Sequence, residues 1–147
     1  MATRSLLLAS AFTLAFLAFG RPAFAADRIS TQPGPTSGTV EITCPSTLDP
    51  GAGKTFRFSH WTLFEGDPTA GVAIAPTSST RRNGTYVNGW DLGGVDTSAL
   101  TLRCSYLGTT ETIVSMMPKR LSHCEAGGTR TEQGAFHPQP NLRCKLK

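Results

Sequence analysis

Apolar and polar positions alternate along most of the chain. Val40, Ile42 and Cys44 fall on one parity, as do Phe56, Phe58 and Phe64, and then Val72 with Ile74. A period of two belongs to a β-strand, whose successive side chains leave opposite faces of a sheet. The same pattern predicts strands over 86–92, 100–106 and 111–116. It predicts a last one where Leu142, Cys144 and Leu146 alternate with Asn141, Arg143, Lys145 and Lys147. Asp49-Pro50-Gly51, Gly66-Asp67-Pro68, Asn83-Gly84, Gly93-Gly94 and Gly127-Gly128 fall between or beside these runs, where glycine supplies positive φ and proline presets its own. Asn83-Gly84 is the strongest two-residue hairpin signal. A helical period is absent beyond one turn near Lys119 to His123. The pattern therefore predicts an all-β antiparallel sandwich or barrel of roughly seven strands with little helix.

The N-terminal segment does not fit this pattern. Arg4 precedes an uncharged apolar run over 6–20, and Ala23-Phe24-Ala25 follows it. A basic start, an apolar stretch and a small-residue cleavage site make up a secretory signal, which predicts that residues 1–25 are removed. The apolar run is shorter than the roughly 20 residues that cross a bilayer as a helix, so no membrane anchor is expected. Residues 26–38, rich in Thr, Ser, Gly and Pro, read as a flexible lead-in, and 39–147 as one β domain. Arg4 and Arg21 leave with the signal, so 12 basic residues face 10 acidic ones and the net charge falls from +4 to +2. Basic residues cluster only weakly, at Arg81-Arg82, Lys119-Arg120 and Arg143 to Lys147, and nucleic acid is not an expected partner.

Export gives the four cysteines a meaning. Cys44, Cys104 and Cys144 share the apolar parity of their strands and point inward, and with Cys124 they read as disulfides in an oxidising compartment. Three pairings are open. Cys44 with Cys104 and Cys124 with Cys144 is favoured, because each bond would join segments able to lie side by side. Spacings of 60, 20 and 20 residues contain no C-x-x-C pair, so no metal site is expected.

Catalytic signals fail on inspection. Gly51-Ala52-Gly53-Lys54-Thr55 resembles the end of a phosphate-binding loop, but the motif needs glycine where Leu48 stands. Ser122-His123-Cys124 resembles a transpeptidase nucleophile segment without its glycine, and Cys124 serves better as a disulfide partner. His60, His123 and His137 lie far apart in sequence without ligand spacing. Neither a catalytic residue nor a cofactor is expected. The candidate binding feature is Trp61, whose parity is opposite to that of Phe56 and Phe58. Trp61 and Leu63 are therefore expected to face outward beside the turn from Phe64 through Glu65 and Asp67. These five residues are the expected partner-binding surface, an aromatic anchor next to a rigid turn.

Glu41-Ile42-Thr43-Cys44-Pro45, Leu63-Phe64-Glu65-Gly66-Asp67-Pro68, Trp90-Asp91-Leu92, the run from Leu102 through Cys104 and Tyr106 to Thr109, and Leu142-Arg143-Cys144 together resemble a family of small secreted four-cysteine proteins of Gram-negative bacteria. Some members resemble immunity proteins to type VI secreted L,D-transpeptidase-like effectors that attack peptidoglycan. The resemblance implies a periplasmic or secreted, non-catalytic protein that binds a toxin or a peptidoglycan-remodelling enzyme. The alternatives are a lysozyme-type inhibitor and an envelope enzyme with an unrecognised site. The chain departs from the family pattern after Cys124, where polar, Gly-rich 126–133 replaces the expected clearer strand.

Overall fold

The computed structural model describes residues 28–147 apart from Ala52; the predicted export signal lies outside these residues. Twelve strands form among them: β1 (Ser30–Pro33), β2 (Thr39–Thr43), β3 (Thr47–Leu48), β4 (Phe56–Glu65), β5 (Val72–Ala73), β6 (Ser78–Arg82), β7 (Thr85–Asp91), β8 (Leu100–Tyr106), β9 (Thr112–Met116), β10 (Leu121–Arg130), β11 (Phe136–Pro138) and β12 (Asn141–Leu146). No helix is present among the described residues. The strands make two antiparallel sheets. One has the order β1-β2-β12-β10-β7-β6, with β11 paired to β10; the other runs β3-β4-β8-β9, with β5 paired to β4. Neither closes on itself, so the fold is a sandwich and not a barrel.

Alternation explains why the sheets stack. Ile42 on β2, Trp90 on β7, Cys124 and Ala126 on β10, and Leu142 and Cys144 on β12 turn one face of the first sheet inward. Trp61 and Leu63 on β4 and Leu100, Leu102 and Cys104 on β8 do the same for the second. Burying such a face is worth roughly 25 cal/mol for each Å² of apolar surface removed from water. Trp61 and Trp90 meet between the sheets with ring centroids 5.0 Å apart. Each indole N–H finds a carbonyl, Gln139 O for Trp61 and Ile74 O for Trp90, so neither buried donor is left unpaired. Trp61 stands opposite Cys104, and Trp90 opposite Cys124, in their ladders. The disulfides are Cys44–Cys104 and Cys124–Cys144, the pairing favoured from sequence. The first ties the end of β2 to β8 and so joins the two sheets. The second links directly opposed residues of β10 and β12 within one sheet.

Three local expectations are corrected. Ser30–Pro33, placed by composition in a flexible lead-in, pairs with β2 from Ser30↔Thr43 to Pro33↔Val40. An edge strand is held by backbone hydrogen bonds, which side-chain composition does not report. The turn of helix near Lys119 to His123 is instead the start of β10. That strand then continues to Arg130 through Gly127 and Gly128, where the sequence predicts a turn. Its two glycines allow close neighbours: a Cβ on Gly128 would collide with the His137 carbonyl oxygen and lie 2.7 Å from the Phe136 ring. The β6–β7 hairpin turns on Asn83 (φ 50°) and Gly84 (φ 82°), the two positive dihedrals that a type I′ turn requires.

Candidate docking surface

The residues picked out from sequence do not share one surface. A register shift between Phe58 and His60 inserts a β-bulge into β4. One extra residue reverses the alternation of everything after it. Phe56 and Phe58 pack against the core, and after the bulge so do Trp61, 6% exposed, and Leu63, 1% exposed. The expectation that Trp61 and Leu63 face outward is therefore corrected; they lie between the sheets. Phe64 takes the opposite, outer face. It is buried there, with the Arg103 guanidinium 4.6 Å above its ring.

Glu65 and Asp67 are exposed and spent locally. Glu65 accepts the Asp96 N–H at 3.2 Å. Asp67 accepts both the Thr69 hydroxyl, at 2.6 Å, and the Thr69 N–H, at 2.7 Å. These two bonds, the hydroxyl's first, hold the Asp67 carboxyl below the usual carboxylate range. The carboxylate fixes the turn between β4 and β5, as an Asx turn does.

Register builds the outer face of this sheet as three rows of three. His60, Ser105 and Thr112 form one row, Thr62, Arg103 and Val114 the next, and Phe64, Thr101 and Met116 the last. Arg103 is at the centre. It donates one long hydrogen bond, 3.4 Å, to Pro68 O, and its buried Nε has no partner. Among the described residues no carboxylate forms an ion pair with it. The ion pairs among the described residues are Arg82–Glu125, His123–Glu125 and Arg143–Glu41, all on the other sheet. Partial burial, then the charges of Arg103 and His137, hold the His60 pKa below its ordinary 6.5. Beside this positive centre, Val114 is 46% exposed and Met116 66%.

The free edges differ in a telling way. An exposed edge strand invites pairing with other chains, and proteins blunt it with charge, proline or short length. β6 carries Arg81 and Arg82, β1 ends on Pro33, and β3 and β5 are two residues long. β9 reads Thr-Ile-Val-Ser-Met over five residues with none of these devices. Sequence reasoning predicted the strand at 111–116 but passed over Arg103 and the openness of β9 as an edge. The available signal was the apolar content on both parities of β9, Ile113 inward and Val114 and Met116 outward.

A cavity of about 330 Å³ opens at one end of the sandwich between Phe58, Leu107, His137, Pro138 and Gln139. Among the described residues no group of three or more His, Cys, Asp or Glu is placed to hold a metal ion, and there is no helix long and apolar enough to cross a membrane. The arrangement can bind a surface.

No curated protein and no solved structure matches the chain. The family model described as the Type VI secretion system Tli immunity protein matches residues 52–145, a stretch that runs from the turn before β4 through most of β12 and includes the whole outer face just described. The match covers more than half of the chain, from β4 to β12, and the chain belongs to the Type VI secretion system Tli immunity protein family.

Proposed function

We propose that the protein is an exported inhibitor that works in the periplasm, capturing a type VI toxin that targets peptidoglycan and blocking it by occupying its surface. Membership of an immunity family supports a protein toxin as partner. Two disulfides support an oxidising compartment. The observation that carries the docking reading is the unblunted edge of β9 next to the uncompensated Arg103. A rigid sandwich presents such a surface already ordered, so little conformational entropy is lost on binding. Phe64, Glu65 and Asp67 border the contact, and Trp61 and Leu63 support it from beneath.

The test is protection. Cells given a periplasm-directed form of a type VI effector sought among the genes flanking this one should survive when the full chain is co-expressed, and the two purified proteins should bind one to one by calorimetry. Lysis despite co-expression, with no heat of binding, would reject the reading.

A further inference from the structure

We infer that β9 is a strand-addition edge: an extended segment of the toxin pairs with it, and the toxin surface that follows over the outer face supplies a carboxylate to Arg103. The inference rests on the immunity reading and names the contact it uses.

Backbone geometry sets which groups are free. Met117 N–H donates to Leu100 O, the continuation of the β8–β9 ladder. Hydrogen-bonded and non-bonded positions alternate in an antiparallel pair. Ile113 and Ser115 therefore carry ladder bonds to β8, while Thr112, Val114 and Met116 aim their backbone groups at the open edge. The side chains of those same three residues stand on the outer face. A partner strand along β9 would satisfy these backbone groups and cover Val114 and Met116 together.

Charge selects the occupant. Arg103 uses one of its five N–H groups on a protein acceptor and stacks on Phe64, which leaves a guanidinium edge and a full positive charge without a carboxylate. His60, one row away, lies close enough to Arg103 for the two to repel when it is protonated. A second copy of this chain would bring another positive face to β9. An acidic toxin surface neutralises it.

The measurement is amide hydrogen exchange on the full, disulfide-intact chain, free and bound to the effector that the protection test identifies as its toxin. Protection of the Thr112, Val114 and Met116 amides on binding is expected, with no change at β6. Affinity should fall at least tenfold for Arg103→Gln, with Arg103→Lys recovering most of it, and at least tenfold for Val114→Pro, which removes one outward N–H and no ladder bond. Lys145→Glu, on the opposite sheet, should bind as the parent does. If the complex forms and those three amides exchange as fast as before, the strand addition is wrong and the immunity reading stands. The same holds if they are already protected in the free chain and it sediments as a dimer. If the parent chain does not bind the toxin at all, the immunity reading fails and this inference falls with it.

Discussion

Trp61 shows how one residue can be misplaced by a sound rule. Counting parity from Phe56 puts its indole in solvent; the bulge after Phe58 puts it against Trp90, with its N–H on Gln139 O. Trp61→Ala should cost about 3–5 kcal/mol, as removal of a buried tryptophan generally does. That is much of the roughly 5–15 kcal/mol that holds a small protein folded. A large fall in the urea midpoint is the expected result. His60 gives a second prediction at this scale. Its folded pKa lies below the unfolded value of 6.5, so the unfolded chain binds more protons as pH falls. Stability is then present above 6.5 and is lost as the pH drops through that value toward the folded one. Urea midpoints at pH 7.5 and 5 should differ by less in His60→Gln than in the parent. Asp67 and Asp96, both held low by hydrogen bonds to Thr69 and Ser98 respectively, titrate in a more acidic window and do not interfere.

Strands that alternate cleanly were legible, and their ends nearly so. The pattern over 100–106 is β8, and that over 141–147 is β12 with one residue to spare. The Asn83-Gly84 signal is the β6–β7 turn. Elements without a buried side chain were not legible: β1 is wholly exposed and β6 is too, so neither writes an apolar stripe into the chain. The C-terminal half of β10 was hidden for a related reason. Gly128 stands where β11 crosses close by, and a glycine at such an approach looks like a loop in sequence. Gly128→Ala should push Phe136 and the His137 carbonyl away and cost about 1–3 kcal/mol. Faster amide exchange at Thr129 and Arg130, with β7 unaffected, would place the damage on the β10–β11 pairing.

For the molecule as a whole, stability depends on two staples of different reach. Cys44–Cys104 closes 60 residues and spans the sheets, whereas Cys124–Cys144 closes 20 within one. In the chain-entropy model the first contributes about 4 kcal/mol and the second about 3. Replacing Cys44 and Cys104 together by Ala should therefore lower the urea midpoint more than replacing Cys124 and Cys144, and equal effects would contradict the model. The sequence by itself determined the all-β fold class, the inward parity of Cys44, Cys104 and Cys144 and the Asn83-Gly84 turn. Each of these is written by side chains near in sequence: alternation, Gly and Pro at positive or fixed φ, and cysteine on an apolar parity. The tertiary structure alone decided which residues form a surface. The bulge in β4 reverses parity without leaving a mark in composition. The rows that place Arg103 beside Val114, and the exposure of β9 as an edge, come from strand order, and strand order is settled by which apolar faces can be buried against each other across the whole chain.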